Sequence, residues 1–173
     1  QALIVDAWNT HHAIRQVMRF LTDNGVGVTH AAQIMSLYGP KTMDILGHDP
    51  YLIARDIPKI GFSIADTIAR NAGIDVEDER RLAACLIHGL LLAEQEGHVF
   101  GLKEDLFESG ARLSGVTADV FETALNSLIE EESVKVEKKQ GQERVYLSRL
   151  FRAESGIASR TAAIRSMPLA DHG

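Results

Sequence analysis

The sequence predicts a mainly α-helical fold with one small β element, and three observations predict it. Apolar residues recur at three- and four-residue spacing through most of the 173 positions. Two glycine-containing turns, Gly25-Val26-Gly27 and Ile60-Gly61-Phe62, each run straight into a short amphipathic helix. The helical rhythm yields to clear alternation once, in Val134-Lys135-Val136-Glu137-Lys138, followed by a polar turn and a second alternating run. With 45% apolar residues the chain is able to bury a core, in one compact domain or two small ones.

Taken in order, Ile14, Val17, Met18 and Leu21 form the inner face of a first helix that ends near Asn24-Gly25. After the turn at 25–27, Thr29 is placed as a cap, and Ala32, Ile34, Leu37 and Tyr38 form the apolar side of the next helix. Gly39-Pro40 stops it, and a short helix follows over 41–46. Asp49 is the expected cap of another short segment, with Pro50 at its first helical position. The turn at 60–62 then leads into a helix with Ser63 as cap and Ile64, Ala65, Ile68 and Ala69 on one face, ended by Asn71-Ala72-Gly73. Asp75 opens a long helix whose stripe is Leu82, Leu86, Ile87, Leu90 and Leu91, closed by Gly97.

Two turns of this kind, about 35 residues apart, indicate tandem helix-hairpin-helix units. Each leaves backbone N–H groups unpaired at the positive end of a helix, a ready site for a phosphate oxygen. The candidate DNA contacts are therefore Gly25, Val26, Gly27, Val28 and Thr29 in the first unit, and Lys59, Ile60, Gly61, Phe62 and Ser63 in the second. Lys59 stands where such a turn usually has its first glycine, so its ammonium either meets a phosphate or is solvated. Simple chain reversal is the commoner explanation of either turn alone; the pairing brings binding level with it.

Beyond Gly97, residues 98–102 read as a short extended segment and 103–113 as a helix. Thr117 caps a helix carrying Val120, Ala124, Leu125 and Leu128, and the β-hairpin over 134–148 completes the order of a winged-helix-like module. Lys138, Lys139 and Arg144, with Lys41 from the first part, are further candidate phosphate contacts. A scaffolding role for the module is the stronger reading, because its second helix carries Asp119, Glu122 and three glutamates at 130–132, which phosphates repel. Leu150, Phe151, Ile157, Ala158 and Ile164 mark a last helix whose apolar side calls for a partner. The expected units are 1–97, 98–148 and 149–173.

The net charge of −6 is unevenly spread. Residues 1–74 balance, 75–133 carry four basic and fourteen acidic groups, and 134–173 carry eight basic and four acidic groups. An acidic middle facing away from DNA, with hairpins and a basic end facing it, is compatible with modest affinity. No apolar run reaches the length of a membrane span and no charged-then-apolar leader opens the chain. The single cysteine, Cys85, sits in a helical pattern as a packing residue, which fits a reducing cytoplasm. The start at Gln1, in mid-pattern, is expected of a piece of a longer protein.

No catalytic or metal constellation is found. Gly39-Pro40-Lys41-Thr42 lacks the outer glycine of a phosphate-binding loop, since position 35 is Met35. His11 and His12 are adjacent and point about 100° apart on a helix; the other histidines show no ligand spacing.

Leu37-Tyr38-Gly39, His48-Asp49-Pro50-Tyr51-Leu52, Ile60-Gly61-Phe62-Ser63-Ile64-Ala65-Asp66, Arg81, Glu96-Gly97-His98 and Val145-Tyr146-Leu147 with Ala153-Glu154 together resemble the N-terminal region of RecD-like ATP-dependent DNA helicases. The resemblance covers most of 10–160. It implies a helix-hairpin-helix portion and a winged-helix-like part ahead of two motor domains. It also implies a parent enzyme that moves 5′ to 3′ on single-stranded DNA using ATP and magnesium. Expected partners are single-stranded or junction DNA and the parent's own motor domains, with no membrane. No cofactor is expected in this region itself, nor any ATPase activity, because the motor's phosphate-binding loop is not in it. A rival expectation is a module that docks on the motor or on another protein and never touches DNA.

Overall fold

The computed structural model describes residues 2–57 and 60–165, with side chains over 12–57 and 60–156. Lys59 lies outside the described residues, as do positions 166–173 and the side chains of His11, Ile157, Ala158 and Ile164. The element order is α1 (Ala2–Asp23), α2 (Val28–Tyr38), a 3-10 turn (Gly39–Lys41), α3 (Thr42–His48), α4 (Leu52–Asp56), α5 (Phe62–Asn71) and α6 (Glu79–Gln95). It continues with β1 (Gly101–Leu102), α7 (Lys103–Ser114), a 3-10 turn (Ala118–Val120), α8 (Phe121–Glu130), β2 (Val134–Lys139), β3 (Gln142–Leu147) and α9 (Ser148–Arg165). The fold is mainly helical with one small antiparallel sheet, as the periodicity predicts.

One continuous apolar cluster runs from Val17 and Leu21 through Ile34, Ile53, Ile68 and Leu86 to Phe121, Val134 and Val145. It joins the hairpin helices to the sheet through α6, whose Leu82, Cys85, Leu86 and Leu90 are buried. Glycines let α7 approach its neighbours: a Cβ on Gly110 would stand 2.8 Å from Cζ of Phe121, and one on Gly101 would stand 2.9 Å from Leu106.

The strands are ordered β1-β3-β2, all antiparallel, with Val136 opposite Val145 and Val134 opposite Leu147. Gln140 and Gly141 both take positive φ (54° and 80°), the conformation a two-residue hairpin turn demands. Val134 and Val145 are buried with Leu125 and Leu128, as the alternation predicts. Tyr146, on the opposite face, is buried too, because Phe100 and Phe151 cover it at ring separations of 5.4 and 5.3 Å.

Several expected helix starts need correction. α2 and α5 begin at Val28 and Phe62, so Gly27 and Gly61 are the caps, and neither Thr29 nor Ser63 makes a capping bond. Thr117 likewise makes none. The long helix starts at Glu79: Asp75 folds into a local turn by accepting from the Glu77 amide, while Asp78 accepts from Arg80 N–H and caps α6. Asp49 accepts from the Tyr51 amide, which moves the start of α4 past Pro50 to Leu52. On α2 the inner face is Ala31 and Ile34; Ala32 and Leu37 are exposed, as is Ile14 on α1.

Candidate nucleic-acid interface

The first hairpin turn is fastened from inside. Gly25 N–H donates to Thr22 O and Val26 N–H to Leu21 O, both at 3.0 Å, while Val26 is buried beneath them. Gly25 sits at φ +81°, where an L side chain is strained. Gly27 is different: its φ of −60° suits any residue, and a Cβ there would meet nothing within 4 Å. The first bond of α2 runs from Ala31 N–H to Gly27 O at 2.9 Å, which leaves the N–H groups of Val28, Thr29 and His30 directed outward.

The second turn repeats this plan 34 positions on, with Ile60 for Val26, Gly61 for Gly27, Ser63 for Thr29, Ala65 for Ala31 and Ile68 for Ile34. Ile60 is buried and its N–H donates to Ile57 O at 3.2 Å. Gly61 caps α5 in extended backbone with open space beside it. The ends of the two units are clasped, since Asn71 Nδ2 donates to Asn24 Oδ1 at 2.6 Å and Asn24 Nδ2 donates to Phe20 O at 2.8 Å.

These paired turns correspond to a known sequence family. Residues 10–100 match the family described as the ATP-dependent RecD2 DNA helicase HHH domain. The chain belongs to this family. The ATP-dependent RecD2 DNA helicase of Deinococcus radiodurans is 28% identical over 183 aligned positions, covering 97% of this chain and 25% of that protein. The chain thus spans about a quarter of the length of that relative.

Within this RecD2-type domain the two hairpins are not equivalent. Val28, the first residue of α2, is 68% exposed; its counterpart Phe62 is 2% exposed. Phe62 stacks on Tyr51 at 5.9 Å and lies 6.0 Å from His88, with the Arg81 guanidinium 5.9 Å from its ring centre. Arg81 is itself buried. Its Nε donates to Asp66 Oδ1 at 2.7 Å, Nη2 donates to Oδ2 at 3.0 Å, and Nη1 donates to Val76 O and Ser114 O. Tyr51 completes the set by donating its hydroxyl to Asp66 Oδ1 at 2.9 Å. Burial opposes the charge on Asp66, but the Arg81 and Tyr51 bonds outweigh it and hold the carboxyl below the usual carboxylate range. The same burial, with the bond to Asp66, pushes the Tyr51 phenol up. This network binds α4, α5, α6 and the end of α7 together. Periodicity gave no sign of it, because Arg81 looks like one more solvated helix residue; only the family resemblance marked Tyr51, Asp66 and Arg81, and Phe62 was marked as a turn residue rather than a core one.

The backbone, not the side chains, of Val26, Ile60 and Phe62 is what these positions offer a ligand, since all three side chains are in the core. Gly25, Gly27, Val28, Thr29 and Ser63 are exposed, and Lys41 is exposed at the end of the 3-10 turn. The Thr42 hydroxyl is buried and donates to Gly39 O at 2.7 Å, so the Gly-Pro-Lys-Thr segment is a tight helical turn rather than an open loop. The cations of the β-hairpin are divided. Lys138 shares a face with Glu143, whereas Lys139 and Arg144 lie on the other. Arg144 lies 4.6 Å over the Phe100 ring. Among the described residues, no three His, Cys, Asp or Glu side chains come together to hold a metal ion, and no helix is long and apolar enough to cross a membrane.

Proposed function

We propose that this chain is the accessory DNA-binding and motor-positioning region of a RecD2-type 5′–3′ helicase, and that it holds the phosphate backbone without sequence preference. The observation that carries this reading is the pair of helix N-termini capped by Gly27 and Gly61, where the N–H groups of Val28 and Thr29 and of Phe62 and Ser63 face outward and the glycines have open space beside them. Lys59 precedes Ile60 in the chain and supplies charge to the second turn, while Lys41, past the far end of α2, is a separate phosphate contact. The DNA is single-stranded or at a junction, and the compartment is the cytoplasm. ATP and magnesium belong to the motor part of the longer protein, and this region hydrolyses no ATP itself.

The test is a salt titration of DNA binding by fluorescence anisotropy. Gly27→Val and Gly61→Val place a side chain where the phosphate approaches without straining φ. Each should weaken binding by about 1–3 kcal/mol, the range of a charge-assisted hydrogen bond, and Lys59→Glu should weaken it further. Folded variants that bind as tightly as the parent would refute the phosphate cradle.

A second reading, docking on the motor or on another protein without DNA contact, draws on a groove of about 610 Å³ between α6, β1 and α7. Exposed Leu92 and Leu113 line it, within the acidic part of the chain. Binding that is absent at low salt would favour this reading.

A further inference from the structure

We infer that the outer face of the β-sheet is a second DNA contact, selective for single strands, in which Arg144 and Lys139 hold phosphates and Phe100 takes a base. The inference rests on the reading of this chain as a DNA-binding region, but not on the two hairpins.

Strand alternation sets the composition of this face. Register pairs Lys135 with Tyr146, Glu137 with Arg144 and Lys139 with Gln142, and these six side chains point away from the valine core. Phe100 and Phe151 flank them, packed on Tyr146. Cations and aromatic rings therefore interleave on one surface, the composition by which single strands are held: phosphates by charge, bases by stacking.

Charge pairing leaves this place open. In a chain with an excess of carboxylates, many of the described cations have taken one. Arg80 pairs with Asp78, Arg81 with Asp66, Arg149 with Glu94, and Lys103 with both Glu122 and Glu143. Arg144 has no carboxylate within ion-pairing distance among the described residues, and its buried Nε has no partner at all. Glu137, the strand acid on this face, accepts instead from the Tyr146 hydroxyl at 3.2 Å, and Glu154 of α9 lies near the same hydroxyl. Lys139 is exposed and likewise unpaired among the described residues. The Arg144 guanidinium lies over the half-buried Phe100 ring and beside the Tyr146 hydroxyl, and with no carboxylate paired to it its charge is open to an anion. A duplex hides the faces of its bases, so only an unpaired base is able to stack on the open part of Phe100.

The experiment measures binding of labelled oligothymidylate and of a blunt duplex to this chain and to Lys139→Gln, Arg144→Gln and Phe100→Leu. Each variant should bind oligothymidylate about 5-fold more weakly or worse, with duplex affinity changed less than about 2-fold. Gly27→Val should weaken binding of both oligonucleotides, because a helix N-terminus meets phosphate in either. Lys139 is exposed and makes no ion pair among the described residues, so its variant reads binding without a folding effect. Photocrosslinking with 5-iodouracil-substituted oligothymidylate should map to Phe100. Unchanged single-strand affinity in the folded Lys139→Gln and Arg144→Gln proteins overturns the inference. So does tighter binding of an oligoglutamate peptide than of oligothymidylate. Duplex binding with no single-strand binding by the parent removes this second contact alone; loss of both removes the DNA reading as a whole.

Discussion

Asp66→Asn is the substitution whose cost is best defined by the geometry. It keeps the shape of the side chain but removes the charge that Arg81 faces. Arg81 is 4% exposed and gives Asp66 two parallel bonds, of 2.7 and 3.0 Å. An amide offers one acceptor and turns an N–H₂ donor toward the other guanidinium N–H, so one bond is lost and a buried cation loses its counter-ion. Breaking a buried pair from one side costs about 3–5 kcal/mol. The Asp66 side chain retains 17% exposure, and that access to water sets the expected loss at the low end, about 3 kcal/mol. With a urea slope of about 2 kcal/mol/M, the unfolding midpoint should fall by about 1.5 M. The pH dependence has a definite sign. Because the folded carboxyl titrates below its unfolded value, its stabilisation is present above the unfolded pKa and is lost as pH falls through the folded one. The parent and Asp66→Asn should therefore differ fully at neutral pH and converge below about pH 4. Adding Arg81→Met should recover part of the loss, since no buried charge then remains. A difference under about 1 kcal/mol at pH 7, or one that does not shrink in acid, would refute the reasoning.

Two further substitutions test the close helix contacts. Gly110→Ala drives a methyl into the fully buried Phe121 ring and should destabilise by about 1–3 kcal/mol in the same urea assay. Gly47→Ala, in α3 with nothing within 4 Å, should instead be neutral or stabilise by up to about 1 kcal/mol. Burial pushes the Cys85 thiol up to about 12, so the native protein should resist a thiol reagent at pH 8 and react only as it unfolds. Rapid native-state modification would contradict that burial.

The helices and the hairpin were legible because burial imposes a period. Val17 and Leu21, Leu82, Leu86 and Leu90, and Val134 and Val145 are where three-, four- and two-residue spacing places them. Helix starts were less legible. Thr29 and Ser63 are good capping residues, but the glycines before them adopt the cap conformation, and side-chain preference gives no sign of that shift. The turns were visible from Gly27 and Gly61. That the second is locked to the core through Phe62 was not, because stacking on Tyr51 and the Asp66–Arg81 pair depend on contacts between segments far apart in sequence. Arg144 was read as a phosphate contact from its charge alone; its seat on Phe100 is a cross-sheet relation that no local pattern encodes.

The repeated hairpin also bears on how this region is able to change over evolutionary time. In the second unit, the residue that opens the helix is a structural keystone, and replacing it disturbs folding whatever it does for a ligand. In the first, Val28 projects into solvent, so the chain is free to sample other side chains there at little thermodynamic cost. One copy preserves the architecture while the other is open to drift, and a surface free to drift in this way is where related proteins should diverge in the nucleic-acid structures they prefer.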